Sequence, residues 1–322
     1  MSEWVVRHAH RPVVLLGAII CVSGFFSAFF VNDTMCLVLT PLVLEITTHL
    51  KRNPVPYLLA VAMASNIGSV ATVTGNPQNM MIGSFSRIPY RDFAAALTPV
   101  AAAGLLIAMA VILVVYRREF TVQPTVEVEP VRVRVNRLLL WKSLLVAALM
   151  VAFFFAGWPV PKVALIAGAV LLVTRRIKPE RVYLQIDWPL LVLFIGLFIV
   201  VAGIDKVILT KDTFALVARL RLDRTSVLSA AAAVLSNLVS NVPAVMIFKP
   251  FVAHLADPRR GWLVLAMAST LAGNLTILGS VANLIVVQKA KGQVEIGFWE
   301  YARSGVIVAL ATIAFGVVWL NR

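Results

Sequence analysis

Residues 62–83 and 266–287 are two copies of one segment. At a shift of 204, without a gap, Ala62-Met63-Ala64-Ser65 falls on Ala266-Met267-Ala268-Ser269, Thr72 on Thr276, Gly75 on Gly279 and Asn79 on Asn283. Each copy is an apolar stretch interrupted by a polar, Gly-containing break, 72–79 in the first and 273–283 in the second. The flanks are too apolar for a water-exposed loop, so the breaks are expected inside a membrane. Irregular backbone at that depth is tolerated only where protein buries it or where it lines a cavity. The duplication therefore constrains the chain to a fold that shields both breaks.

Composition agrees with a membrane setting. Of 322 residues, 60% are hydrophobic and only 14% charged, and the mean hydropathy is +0.91. Apolar runs of roughly 20 residues recur, the length needed to cross a bilayer as helix. The chain reads as an all-α, polytopic integral membrane protein. The formal net charge of +14 does not point to nucleic acid, because the Lys and Arg residues punctuate the apolar spans as cytoplasmic loops do. Cys21 and Cys36 lie in apolar segments without metal-ligand spacing. No metal site or cofactor is expected on these grounds.

Along the chain, apolar arms at 12–31 and 35–48 flank Asn32-Asp33-Thr34, and Pro41 interrupts the second arm. A polar turn with no hydrophilic loop reads as a re-entrant hairpin. A second hairpin covers 226–255, and at a shift of 209 Ser27, Asn32 and Pro41 fall on Ser236, Asn241 and Pro250. Broken helices follow each hairpin, at 57–85 and 262–287. Spans are expected at 93–116, 138–156, 163–173, 188–204 and 302–320, and an interfacial amphipathic helix at 206–223. The organisation is then a first repeat unit at 1–116, a linker loop at 117–137 and a second unit at 138–322. Three crossings separate the repeated elements, and an odd number inverts the second unit. The first unit has about three spans fewer than the second, so the chain is expected either to be a shortened member of its type or to start further upstream. Basic residues mostly fall on one face, read as cytoplasmic, although Lys206, Lys211, Arg219, Arg221, Arg224, Arg259 and Arg260 fall on the other.

Two broken helices at matching positions of two halves mark the central site of a transporter. The motifs carry a resemblance. The hairpin tips Asn32-Asp33-Thr34 and Ser240-Asn241-Val242-Pro243, the break Thr72-Val73-Thr74-Gly75-Asn76-Pro77-Gln78-Asn79 with Gln78 where a second proline is usual, and the break Gly273 to Asn283 resemble the ion transporter superfamily. That group includes the divalent anion–sodium symporters, arsenite permeases, citrate transporters and NhaD-type sodium–proton antiporters. The resemblance implies that one hairpin tip and one break from each half meet near the membrane midplane and hold a small anion and a coupling cation.

Substrate-binding residues are accordingly expected at Asn32, Thr34, Asn76, Asn79, Ser240, Asn241, Asn274, Thr276 and Asn283. Ion-coupling residues are expected at Asp33, Thr72, Gly75, Gly279 and Ser280, with proton or sodium as the coupling ion. Sodium, if it is that ion, is expected at Asn32, Asp33 and Gly75. Half-helix N-termini suit an anion, and Asn and Thr supply neutral donors. Asp33 is the candidate coupling carboxylate, because a carboxyl group at membrane depth is costly and usually functional. Its counterpart is Val242, and Pro243 stands opposite Thr34. Lys249, eight residues past the second tip, is expected to snorkel. The leading function is a secondary transporter for a small inorganic or carboxylate anion. A sodium–proton antiporter and a non-transporting remnant are the alternatives. An enzyme is not expected: the four histidines lie at termini or arm ends, and no H-E-x-x-H, C-x-x-C or G-x-S-x-G occurs. The expected partners are a small anion and the lipid bilayer, with a homodimer left open and no nucleic acid. The expected location is a bacterial or archaeal cytoplasmic membrane.

Overall fold

The computed structural model describes residues 11–121, 136–173 and 220–322, with scattered positions between 188 and 203. The linker at 122–135, most of the expected span at 188–204 and the amphipathic helix up to residue 219 lie outside the described residues. In chain order the helices are α1 (Pro12–Phe29), α2 (Asn32–His49), α3 (Val55–Ser69), α4 (Pro77–Ser86), α5 (Tyr90–Val115), α6 (Arg117–Thr121), α7 (Arg137–Phe155), α8 (Val160–Val173), α9 (Thr225–Val239), α10 (Asn241–Val252), α11 (Pro258–Leu271), α12 (Val281–Ala290) and α13 (Phe298–Leu320). Among the described residues, α1, α5, α7 and α13 are long and apolar enough to cross a membrane.

Two compact units emerge. The first takes residues 1–88, 92–130 and 216–322, and so holds both hairpins, both broken helices and both closing helices. The second takes 89–91 and 131–215. In the second unit α7 and α8 form an antiparallel pair through a tight turn in which Gly157 adopts φ +86°. Phe154 and Phe155 pack on Tyr90, with ring centroids 5.4 and 5.1 Å apart.

At the centre of the first unit are α3, all fifteen residues of which are buried, and α11, buried from Gly261 to Leu271. A helix apolar all round belongs in a core, and both sequences lack a polar face. The first hairpin wraps α3, with α1 lying along it. The second wraps α11 through α9 and α10. Each hairpin's second arm also crosses to the other repeat, α2 onto α12 and α10 onto α4.

The breaks have local causes. Pro77 opens α4, where its missing N–H is harmless, and it forces Asn76 into extended backbone (φ −157°, ψ 163°). Residues 70–76 therefore cannot continue α3. The second break has no proline. It consists of 3₁₀ turns at Ala272–Asn274 and Ile277–Gly279, with Thr276 and Ser280 extended. At about 1.5 Å per residue, the ten-residue α4 and α12 are each about 15 Å long, half of the roughly 30 Å hydrocarbon core. The twelve-residue α10 reaches about 18 Å, which is too short to cross alone.

The first reversal comes earlier than the polar triplet suggests. The chain turns at Phe30 and Val31, and Asn32-Asp33-Thr34 form the first turn of α2. The Asn32 N–H, one of the helix's free donors, is taken by the Gly75 carbonyl at 3.0 Å. Asp33 in that first turn is favourably placed on the helix dipole. At the second tip the reversal falls on Ser240, at φ +76°. The turn into α3 is fixed by buried Arg52, which donates from Nη1 to the Glu119 carbonyl at 3.1 Å and pairs with its carboxylate at 3.4 Å.

Candidate functional site

The two breaks are built alike. Asn79 Nδ2 donates to the carbonyls of Ser69 and Thr72, at 3.1 and 3.0 Å. Asn283 Nδ2 donates to the carbonyls of Gly273 and Thr276, at 2.7 and 3.0 Å. These partners correspond at the shift of 204. In each repeat an asparagine in the first turn of the half-helix thus reaches back to satisfy carbonyls that the broken helix cannot pair, as buried backbone requires. The half-helices are capped alike as well. Asn76 Oδ1 accepts from Asn79 N at 2.8 Å, and Ser280 Oγ from Ala282 N at 3.2 Å. Gly75 permits the tight fold of the first break, since a Cβ there would collide with the Ser69 carbonyl.

Each break also leans on the other repeat. Asn76 Nδ2 reaches Thr270 Oγ1 on α11 at 3.3 Å, and Ser280 Oγ reaches Asn66 Oδ1 on α3 at 3.0 Å. Residues 76 and 280 correspond, as do 66 and 270. Contacts in which i meets j and j meets i are the mark of a two-fold relation.

On one side of this pseudo-two-fold lies Asn66. Its amide oxygen accepts from Asn32 Nδ2 (2.9 Å) and Ser280 Oγ (3.0 Å). Its amide nitrogen donates to Asn274 Oδ1 (2.9 Å) and Asn283 Oδ1 (3.0 Å). An asparagine side chain has two donors and two acceptor sites, so Asn66 is saturated. On the other side lies Thr270, whose hydroxyl accepts from Asn76 Nδ2 and, at 3.1 Å, from Gln78 Nε2. At the second hairpin tip, two carbonyls face one side of the Asn241 amide and Gln78 faces the other, which sets its orientation. Its nitrogen donates to Gly279 O (3.3 Å) and Ser269 O (3.1 Å), and its oxygen accepts from Gln78 Nε2 (3.2 Å).

The N-termini of α2, α4, α10 and α12 therefore meet in one cluster of amides and hydroxyls, with Asn66, Asn76, Asn79, Asn274 and Asn283 each 1% exposed or less. Four helix N-termini give the cluster positive potential without a buried cationic side chain in the hydrogen-bond network.

The sequence profile of a family described as "Citrate transporter" matches residues 1–272. The chain belongs to that family. Among curated relatives, a "46 kDa membrane protein" of Mycobacterium leprae is 27% identical over 99% of this chain and 80% of its own length. "Silicon efflux transporter LSI3" of Oryza sativa subsp. japonica is 29% identical over 96% of the chain and 79% of its own. "Arsenical pump membrane protein" of Escherichia coli is 23% identical over 97% and 79%. The chain is thus a member of a family of integral membrane transporters.

Of the residues singled out from the sequence, the structure brings Asn32, Gly75, Asn76, Asn79, Asn241, Asn274, Gly279, Ser280 and Asn283 into the cluster. Thr72 and Thr276 sit at its edges. The Thr72 hydroxyl bonds the Ala28 carbonyl, and Thr276 Oγ1 lies 3.3 Å from Asn237 Oδ1. Thr34 and Ser240 are exposed and turn away, and Asp33 is half-buried in the first turn of α2. Lys249 is half-buried, with Nζ 4.7 Å from the centre of the Phe85 ring, away from the amides. Sequence reading passed over Asn66, Thr270 and Asn237. The signal for the first two was present: Asn66 and Thr270 directly follow the repeated Ala-Met-Ala-Ser tetrapeptides, one polar residue matching another at the shift of 204.

Proposed function

We propose that the protein is a secondary active transporter for a small inorganic or carboxylate anion or its conjugate acid, coupled to protons or sodium and working by alternating access in the cytoplasmic membrane of a prokaryote. The observation that carries the reading is the meeting of two equivalent broken helices and two hairpin tips in one neutral amide cluster. Four convergent helix N-termini favour an anionic or oxygen-rich solute, and uncharged donors bind it without the cost of a buried fixed charge. The relatives named for silicon and arsenical transport and the family named for citrate all concern small oxygen-rich solutes. The pseudo-two-fold, with the short arms of the second hairpin, supports an inverted repeat with re-entrant hairpins, the architecture that alternating access uses.

The coupling ion is assigned to the first hairpin. Asn32 Oδ1 and Ser27 Oγ are buried and have no hydrogen-bond partner among the described residues. Of their counterparts, Asn241 Oδ1 accepts from Gln78 Nε2, and Ser236 Oγ accepts from the Asn241 amide nitrogen and donates to the Ser269 carbonyl. Together with Asp33 and the Gly75 carbonyl, they offer oxygen ligands that suit a hard cation or a proton site. Flux in proteoliposomes tests this, with arsenite, silicic acid and citrate as probes and with pH and sodium gradients imposed separately. Gradient-driven movement of a probe, abolished or reduced to exchange in Asp33→Asn, is the expected result. Cation exchange without movement of any probe would favour the antiporter reading. Wild-type and Asp33→Asn proteins that respond identically to pH and sodium would remove Asp33 from the coupling role.

A further inference from the structure

The two sides of the pseudo-two-fold are not equivalent, and the difference lies in a few side chains. On the Asn66 side, Asn283 Oδ1 is occupied by Asn66 Nδ2 at 3.0 Å. Its counterpart Asn79 Oδ1 is fully buried and has no hydrogen-bond partner among the described residues. The cause is the exchange of Asn66 for Thr270. A hydroxyl is shorter than an amide and has a single proton, so Thr270 cannot reach out as Asn66 does. Asn274, which also engages Asn66, has Val70 as its counterpart. Gln78, which links Thr270 Oγ1 to Asn241 Oδ1, has Ala282 as its counterpart. On the Asn66 side the break amides Asn274 and Asn283 are therefore satisfied through Asn66, and the amide oxygen left open there, Asn32 Oδ1, lies at the hairpin tip, in the group assigned above to the coupling ion. The other side combines an unsatisfied acceptor with a long, rotatable amide whose nitrogen is held by two acceptors, at 3.1 and 3.2 Å.

We infer that the transported solute, as distinct from the coupling ion, exchanges on the Thr270 side, at Thr270, Gln78 and Asn79, that Asn66 is a structural lock, and that Gln78 selects the solute. This rests on the transport reading above and adds to it. A solute entering beside Asn66 must break the bonds that satisfy Asn274 and Asn283, and buried acceptors left unpaired in this way are costly. A ligand entering beside Thr270 gains a partner for Asn79 Oδ1 and displaces only the Gln78 amide. The chemistry required is mixed. The ligand must donate a hydrogen bond to Asn79 Oδ1 and accept from Gln78 Nε2 and from the N-terminal turn of α4. An oxyacid that keeps at least one hydroxyl does both, whereas a fully ionised polyanion only accepts. Gln78 discriminates because sites built to hydrogen-bond a polar group reject ligands that leave it unpaired.

The pseudo-symmetry supplies its own test. Gln78→Cys and Ala282→Cys place a thiol at corresponding positions of the two sides. With Cys21 and Cys36 replaced by Ser and Ala, each full-length variant is reconstituted and labelled with a small methanethiosulfonate. The Gln78→Cys protein should label at least ten times faster, because its side opens to water during exchange. Equal rates, or faster labelling of Ala282→Cys, would overturn the inference. This readout needs no substrate. Asymmetric labelling without flux of any probe would thus leave the one-sided site standing and fault the transport reading, whereas flux with symmetric labelling would do the reverse. Thr270→Asn provides a second measurement on the native cysteine background. It recreates the Asn66 arrangement and lets the new amide satisfy Asn79 Oδ1. The expected result is a higher melting temperature in detergent together with at least a tenfold loss of arsenite or silicic acid flux. A Thr270→Asn protein no more stable than wild type, or one with unchanged flux, would count against the assignment.

Discussion

Replacing Asn66 by alanine removes a side chain bonded both to the first hairpin and to the break of the opposite repeat. Its amide makes four hydrogen bonds, to Asn32, Asn274, Ser280 and Asn283. Intramolecular hydrogen bonds contribute about 1 kcal/mol each in water and about 0.6 kcal/mol between membrane helices. Four of them set a floor of about 2–4 kcal/mol. Ser280 Oγ keeps a backbone partner, the Ala282 N–H. Asn32 Nδ2, Asn274 Oδ1 and Asn283 Oδ1 do not, and burial without a partner carries the larger penalty. The expected loss is about 3–6 kcal/mol, roughly a 10²–10⁴-fold change in the folding equilibrium. Reversible unfolding by SDS in mixed micelles reads this directly. Thr270→Ala, the matching truncation across the pseudo-two-fold, removes only an acceptor of two longer bonds and should cost about 1–2 kcal/mol. Asn66→Ala that is no more destabilising than Thr270→Ala would refute the view of Asn66 as a saturated lock.

Two further outcomes follow from the geometry. Asn79→Ala and Asn283→Ala each free two buried carbonyls in a break, and each should abolish flux in proteoliposomes while the protein still inserts and purifies as a folded species. Undiminished flux in either would show that its capping bonds do not hold the site. Gly305→Ala on α13 drives a Cβ into the Asn274 carbonyl, and overpacking of this kind costs about 1–3 kcal/mol or more. Gly168→Ala on α8, where a Cβ meets nothing within 4 Å, should leave the melting temperature unchanged or slightly higher. Equal effects of the two substitutions would mean that α13 does not press on the second break.

The amino-acid sequence by itself determined where the helices break. An apolar run containing Gly, Asn and Pro cannot stay helical at Asn76-Pro77, because proline excludes the helical conformation of the residue before it. The shift of 204 then carried the same expectation to 273–283, where no proline stands. Burial of α3 and α11 was likewise legible, since neither has a polar face to offer to water. Tertiary structure decided which polar side chains meet. Thr34 and Ser240 belong to the tip motifs, yet both are exposed. Asn32 opens α2 and faces inward, so Thr34, about 200° further round the helix, faces outward, while Cys36, one full turn on, is buried. That phase depends on the chain reversing at Val31 rather than after the triplet, and the Asn32 N–H bonding to Gly75 across the fold sets it. The pairing of Asn66 with the opposite break, and the lack of a partner for Asn79 Oδ1 among the described residues, arise only once two helices about 200 residues apart are packed side by side. A repeat in sequence specifies equivalent positions; side-chain length at those positions, read in three dimensions, determines which of two equivalent amides, Asn283 or Asn79, has its oxygen hydrogen-bonded.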